Sequence, residues 1–289
     1  MKKIVILKPC GCCYGVRQAI KKINSICKKH QKQKIYLIGW LVHNTQIMQK
    51  IRNKHVIVLN DNNHSRISSL KEIKDHNAVI VFSAHGTPID ALKYACQRFT
   101  NVYDLTCQYV NNNLAIAQKL LKKKYKILYY GKKKHPETKA IKSLSKNIHV
   151  IESTNDISKI NKQAKYAFIN QTTAPTYLVK KIIKLIHQKN YKTKIINTTC
   201  LSTRQRYSNI ENLTNIDFLL VVGDKASNNA NQLLNLAKIK KINCKLIQTK
   251  NQINKKMFKR INTLAITSAT SVSTTDFLKI IDKIKQKMI

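Results

Sequence analysis

The sequence predicts an α/β protein made of three similar small α/β units with mostly parallel sheets. Three observations carry that reading. Short β-branched runs alternate with helix-length stretches along the whole chain, as they do where helices connect parallel strands. A length of 289 residues leaves room for two or three compact units. Three of the eight cysteines are evenly spaced: Cys107 lies 94 residues after Cys13, Cys200 lies 93 after Cys107, and 89 residues follow. One thiol per stretch of that length fits three units of one architecture, although no sequence repeat links them.

Taken in order, 4–7 reads as a strand and 15–30 as a helix. Strands at 34–40, 56–59 and 78–82 come next, with helices between them. The run 102–105 leads into a helix at 111–123. Strands at 125–130, 149–152 and 167–170 precede a helix at 176–188. Three strand–helix pairs complete the chain: 194–197 with 203–212, 216–222 with 231–239, and 264–267 with 275–287. The short runs are rich in Val, Ile and aromatic residues, which suit a pleated, buried surface. No linker is rich in Pro, Gly or Ser, so the boundaries are short. The expected division is 14–107, 108–199, and a third unit combining 1–13 with 200–289.

Composition excludes several classes. Hydrophobic residues make up 43% and charged residues 23%, ordinary values for a globular protein. Only four Pro and six Gly argue against collagen-like, elastic and Pro-rich disordered chains. The apolar runs at 4–7, 79–82 and 218–222 are too short to cross a bilayer. The opening MKKIVILKPC has too brief an apolar stretch for a secretory leader, so a cytoplasmic setting with no membrane partner is expected. There thiols stay reduced and serve as metal ligands, nucleophiles or small core residues. Cys27, Cys96 and Cys244 fit the core role.

The net charge is +41, from 54 basic and 13 acidic residues. That invites an alternative reading as a basic nucleic-acid-binding α/β protein. Against it, only seven of the basic residues are Arg, and Lys, Asn and Ile are inflated everywhere. Such a pattern fits A/T-rich codon drift better than one selected basic face. A field this positive still draws in anions.

Ligands of open α/β sheets gather at the carboxyl ends of strands. Reading only those positions yields Cys10-Gly11-Cys12-Cys13, Val42-His43-Asn44, Ser83-Ala84-His85-Gly86, Thr106-Cys107, His135-Pro136-Glu137 and Gln171-Thr172-Thr173. The later strands add Thr198-Thr199-Cys200, Gly223-Asp224 through Ser227-Asn228-Asn229, and Ser268 through Ser271. His, Ser, Thr and Asn at helix starts supply the N–H and O–H donors that a diphosphate binds. Neither a phosphate-binding G-x-x-x-x-G-K-[ST] loop nor a dinucleotide G-x-G-x-x-G occurs. Three isolated thiols suit an iron–sulfur cluster with one iron open, the alternative being a three-Cys zinc site.

These motifs, in this order over nearly the whole chain, make the sequence resemble the 4-hydroxy-3-methylbut-2-enyl diphosphate reductase family. The carriers include Gly11-Cys12-Cys13-Tyr14-Gly15-Val16, Asp104-Leu105-Thr106-Cys107 and Thr198-Thr199-Cys200 with Arg204-Gln205. The resemblance implies three α/β units around a central cavity holding one [4Fe–4S] cluster per chain. By that matching, Cys13, Cys107 and Cys200 are its three ligands and the fourth iron is open. His43, His85 and His135 surround the substrate, and Ser227, Asn228, Asn229 and Ser271 help hold its diphosphate. Glu137 delivers protons, positioned by Thr172. A ferredoxin or flavodoxin supplies electrons, and a monomer or weak homodimer is expected. The chain departs from the family pattern in three places. Cys10 and Cys12 stand where Arg and Phe are usual, and Ser227-Asn228-Asn229 replaces Ser-Ser-Asn. Thr138-Lys139-Ala140-Ile141 replaces Val-Glu-Gly-Thr.

Overall fold

A computed structural model of the chain describes residues 3–42, 44–59, 65–160, 164–189 and 191–288. Its strands are β1 (Lys3–Ile6), β2 (Ile35–Ile38), β3 (Val56–Leu59), β4 (Val79–Phe82), β5 (Asn101–Asp104) and β6 (Lys126–Tyr130). Then come β7 (Ile148–Ile151), β8 (Tyr166–Asn170), β9 (Thr193–Ile195), β10 (Phe218–Val222), β11 (Cys244–Ile247) and β12 (Thr263–Ser268). The helices are α1 (Tyr14–Lys29), α2 (Thr45–Arg52), α3 (Arg66–Lys71), α4 (Ile89–Arg98) and α5 (Gln108–Lys122). They continue with α6 (Pro136–Lys142), α7 (Thr176–Gln188), α8 (Leu201–Glu211), α9 (Asn228–Ile239) and α10 (Thr274–Met288).

Among the described residues the strands form three four-stranded, wholly parallel sheets, ordered β3-β2-β4-β5, β7-β6-β8-β9 and β11-β10-β12-β1. One topology is used three times. In the last sheet the chain's first strand takes the fourth place. By packing the chain divides into two units, one of residues 1–17, 42–49 and 201–289, the other of 18–41 and 50–200. The first holds the β11-β10-β12-β1 sheet, and the second holds the other two.

The central strands have no polar face because helices cover both sides, the usual consequence of crossover connections. In β4, Val79, Ile80, Val81 and Phe82 are all 0% exposed. Alternate residues of β6 and β8 feed two cores: Leu128, Tyr130 and Phe168 pack on one face, Ile127, Tyr129, Ala167 and Ile169 on the other. In the first unit Leu220, Val222 and Ile266 pack against Phe277 and Ile281 of α10. Each such side chain contributes about 1.5–3 kcal/mol. The edge strands β1 and β9 are only half-covered, and their sequences carry Lys3 and Lys194 accordingly.

Helix starts lie up to three residues earlier than periodicity predicts, as at Gln108 and Asn228. The first turn of α9 is polar, and a polar turn leaves no apolar stripe to read. Strand β11 escaped the reading because its four residues, CKLI, carry a lysine on an edge. Cys96 is a correction: it is exposed, not core. On α4 its neighbour Ala95 is the buried residue, and one step around a helix turns a side chain out to solvent. Among the described residues no helix is long and apolar enough to cross a membrane.

Gly223 closes β10 where α9 begins. A Cβ there would stand 2.6 Å from the Cβ of Ala230 and 3.1 Å from that of Ala269. Gly223→Ala is therefore expected to destabilise the protein by about 1–3 kcal/mol through overpacking, measured by denaturant unfolding. An unchanged midpoint would show that α9 is free to move away.

Candidate active site

The fourth strand of each sheet, β5, β9 or β1, runs into a loop that ends on a cysteine, and a helix follows at once. Cys107 precedes α5, Cys200 precedes α8 and Cys13 precedes α1. All three are half-buried, and none of the eight cysteines forms a disulfide. Each backbone N–H is held in the same way. Cys107 donates to the carbonyl of Ala84 (3.0 Å), Cys200 to that of Thr172 (2.9 Å) and Cys13 to that of Thr270 (3.0 Å). Each acceptor lies two residues beyond the neighbouring strand, after β4, β8 and β12 respectively. A helix start also favours negative charge on the group placed there.

Of the thiols at 10, 12 and 13, Cys13 is the one suited to ligation. Cys12 is 5% exposed, and burial, followed by the neighbouring Cys13, pushes its thiol up to about 11 against the pull of Arg17 and Arg206. Cys10 packs on the apolar core of the first unit. The loop itself is tied down firmly. Gly11, at φ +76°, donates to Ser268 Oγ (2.7 Å). The wholly buried Arg206 reaches the carbonyls of Ser268 (2.9 Å) and Gly11 (2.7 Å).

In the second unit the structure brings together His85, His135, Glu137 and Thr172. The His85 and His135 rings stand edge to face, 5.9 Å between centroids. His135 is the N-cap of α6: its Nδ1 accepts from the Glu137 N–H at 3.1 Å, which in the neutral ring leaves the proton on Nε2 as a donor. Gly86, at φ +101°, lies against the backbone of Glu137, so a side chain there would be strained and crowded.

Glu137 is 1% exposed and turned inward, so it does not cap the helix that contains it. Its Oε1 accepts from the Thr172 N–H (2.9 Å) and from Asn113 Nδ2 (3.0 Å), and its Oε2 pairs with Thr172 Oγ1 at 2.8 Å. Burial raises its pKa, and those hydrogen bonds, with a smaller contribution from Tyr129, offset the rise in part. The result is a carboxyl in a fixed rotamer whose acid form is favoured more than that of an exposed glutamate.

In the first unit the candidate anion-binding residues gather at the start of α9. Ser227 caps α9, its Oγ accepting from the Ala230 N–H (3.3 Å), and Asn228 opens the helix. The Asn229 side chain is 7% exposed; its Oδ1 accepts from the Thr270 N–H (3.0 Å), while its Nδ2 has no hydrogen-bond partner. A buried amide donor left over at a helix start is what a phosphate oxygen would satisfy. The Ser271 carbonyl accepts from Asn44 Nδ2 (2.9 Å), fixing that loop. Asp224 is spent on structure. Burial would raise its carboxyl, but the Thr45 hydroxyl and N–H and the Ala226 N–H hold it low. His43 lies outside the described residues.

Three residues that matter here escaped the sequence reading. Asn113 interrupts the buried stripe Val110, Asn113, Ala117, Leu120 of α5, and Arg206 does the same beside Thr203, Tyr207 and Ile210 of α8. A polar residue inside an apolar stripe was the available signal. The third is Arg66, 5% exposed, which holds the His85 loop through the Gly86 carbonyl (2.7 Å), Thr87 Oγ1 (3.0 Å) and Ser83 Oγ (3.1 Å). It had only the general basic excess to announce it.

Fold and loops together describe an α/β enzyme whose polar chemistry is confined to strand ends. Residues 4–285 match the LytB protein family, and the chain belongs to it. It is 35% identical to the 4-hydroxy-3-methylbut-2-enyl diphosphate reductase of Malacoplasma penetrans (strain HF-2) over 280 residues, 94% of this chain and 93% of that one. Among solved structures it superposes on E-1-hydroxy-2-methyl-but-2-enyl-4-diphosphate reductase from Plasmodium falciparum with a TM-score of 0.88. The two are 26% identical, and the match covers 97% of this chain and 87% of the other. A structure of (E)-4-hydroxy-3-methyl-but-2-enyl diphosphate reductase shares the fold, with a TM-score of 0.69 at 22% identity, covering 99% and 100%. The chain is accordingly an oxidoreductase, and the nucleic-acid-binding alternative finds no support in these likenesses.

The buried acid makes stability depend on pH. Because burial raises the Glu137 pKa in the folded chain, its contribution is complete below the ordinary carboxylate pKa and is lost as pH rises through the raised value. Glu137→Gln keeps the shape and cannot ionise. Its stability relative to wild type is therefore expected to increase over that window and then level off, read from unfolding curves at stepped pH. A difference independent of pH would mean that the carboxyl is not perturbed.

Proposed function

We propose that the chain converts 4-hydroxy-3-methylbut-2-enyl diphosphate to isopentenyl and dimethylallyl diphosphate by reductive dehydroxylation, the last step of the methylerythritol phosphate route to isoprenoids. The allylic C–O bond breaks, two electrons and two protons enter, and water leaves. Glu137 carries this reading: a wholly buried carboxyl, biased toward its acid form and fixed by Thr172 and Asn113, is suited to protonating a departing hydroxyl.

The donor set fits a cubane cluster. Among the described residues no three His, Cys, Asp or Glu side chains converge on a point where a single ion would bind. A [4Fe–4S] cluster asks instead for one thiolate per iron. Three thiols, each alone on its own loop before a helix, match that demand with one iron left open. We assign Cys13, Cys107 and Cys200 as ligands of one such cluster per chain, in three units of 14–107, 108–199 and 1–13 with 200–289. When bound, the cluster supplies single electrons and Lewis acidity.

The chain's own residues do the rest. Ser227, Asn228, Asn229 and Ser271, with the start of α9, hold the diphosphate by neutral donors. His43, His85 and His135 line the substrate, and His135 offers Nε2–H. Thr172 orients the Glu137 carboxyl, its hydroxyl donating to Oε2 at 2.8 Å. A ferredoxin or flavodoxin is the electron source, with the chain a cytoplasmic monomer or weak homodimer.

Three sets of variants test this. Ser in place of Cys13, Cys107 or Cys200 should each abolish stable iron loading, and Ser at Cys27, Cys96 or Cys244 should not. Iron loss at Cys244 with retention at Cys200 would overturn the ligand set. Ser271→Ala should weaken substrate binding roughly 10- to 150-fold, one charge-assisted bond of about 1.5–3 kcal/mol. Undiminished affinity would remove Ser271 from the cradle. Cluster-loaded Glu137→Gln should bind substrate and turn over at least about 100-fold more slowly. Near-wild-type turnover would leave Glu137 a structural residue.

A further inference from the structure

We propose that the surface formed by the starts of α1 and α8 is the docking face for a small, acidic, one-electron carrier protein, an inference that rests on the reductase reading and on Cys13 as a cluster ligand. Electron transfer slows steeply with distance, so a carrier must seat beside the loops that hold the thiols.

Two large apolar side chains stand open there. Tyr14 directly follows Cys13 and opens α1; Leu201 directly follows Cys200 and opens α8. Each is 49% exposed. Apolar surface left open beside a functional loop marks a place where another molecule covers it. On α8 the buried side runs through Thr203, Arg206, Tyr207 and Ile210, which turns Leu201, Arg204, Gln205 and Ser208 outward as one stripe. Both helix starts are fixed against the same loop. The buried Arg206 guanidinium donates to the carbonyl of Ser202 (3.2 Å), next to Leu201, and to that of Gly11 (2.7 Å), three residues before Tyr14. Further along α8, Asn209 Nδ2 donates to the Lys8 carbonyl (2.5 Å). Tyr14 and Leu201 thus flank one rigid loop, 8–13.

The flanks are cationic. Lys8, Arg17 and Arg204 are exposed, and Arg17 donates to the Cys12 carbonyl (2.6 Å), which holds its charge at the loop. The carboxylates nearby are engaged or distant: Asp276 accepts from the Ser273 hydroxyl (2.6 Å), and Glu211 ends α8. Apolar centre and charged margin divide the work of a brief encounter, with charge steering the approach and apolar contact holding the complex. A second copy of this chain carries the same +41 and is repelled, so the complementary partner is acidic. Each encounter passes one electron to the chain and leaves the carrier oxidised by one. Two encounters supply the two electrons of the proposed reaction.

The test is calorimetric titration of the full chain with an acidic ferredoxin and with an acidic flavodoxin. At least one should bind, more weakly as salt rises, and a basic cytochrome c should not. Tyr14→Ser, Leu201→Ser and Arg204→Glu are each expected to weaken that binding about fivefold or more, the scale of an interface hot spot. Lys285→Glu is an equal charge reversal on α10, about 16 Å along the helix from Thr274, which packs on Gly11. It should stay within twofold of wild type. Turnover repeats the distinction. KM for the carrier should rise in the three variants, whereas turnover driven by reduced methyl viologen, a small donor that needs no docking face, should match wild type at equal iron content. Failure of both carriers to bind, binding of the cytochrome as tight as theirs, or all three variants within twofold of wild type would overturn the docking face. So would equal losses in Lys285→Glu and Arg204→Glu, or equal losses with carrier and methyl viologen. If the unaltered, iron-loaded chain does not turn over with methyl viologen, the reductase reading itself has failed, and the titrations still decide the surface.

Discussion

One hydrogen bond, made three times, organises the chemistry of this protein. The carbonyl two residues past the third strand of each sheet accepts the N–H of the cysteine that ends the next loop. A parallel sheet leaves the peptide groups beyond its strand ends without ladder partners, and each must be satisfied elsewhere. Using that carbonyl to hold a cysteine fixes a thiol at a helix start in every sheet. The same loops then present the other functional groups. Thr172 gives its carbonyl to Cys200 and its N–H and hydroxyl to Glu137. Thr270 gives its carbonyl to Cys13 and its N–H to Asn229. Ala84 holds Cys107 and is followed directly by His85. These candidate residues are therefore spaced by backbone geometry, which varies less than side-chain packing.

The second constraint is electrostatic. Glu137 is wholly buried against Asn113 and Thr172, out of reach of solvent, where an isolated charge is costly. Three hydrogen bonds lower the cost of ionisation without removing it, so the carboxyl remains biased toward its acid form. Across the chain the excess of lysine is largely a solvated surface, whereas the start of α9 carries only serine and asparagine side chains. Neutral donors discriminate by geometry, whereas exposed lysines attract any anion.

Much of the fold was legible because central parallel strands are buried on both faces, and runs such as Val79–Phe82 announce themselves. Equal cysteine spacing reflects a repeated topology whose sequences have diverged, which is why it could be seen without a repeat. What escaped was set by tertiary contact. The partners of Asn113 and Arg206 lie 24 or more residues away, apart from Ser202, one turn back on α8. Cys96 was misread because a cysteine's burial depends on which side of α4 it falls, and the buried side of that helix runs through Ala91 and Ala95.

The central claim is that three thiols, one per sheet, hold one cubane. Anaerobic purification of the unaltered chain followed by quantitation of iron and acid-labile sulfide tests it most directly. About four iron and four sulfide per chain, in a brown protein, is the result this account predicts. A colourless protein that takes up neither, even after reconstitution with iron and sulfide, would contradict it.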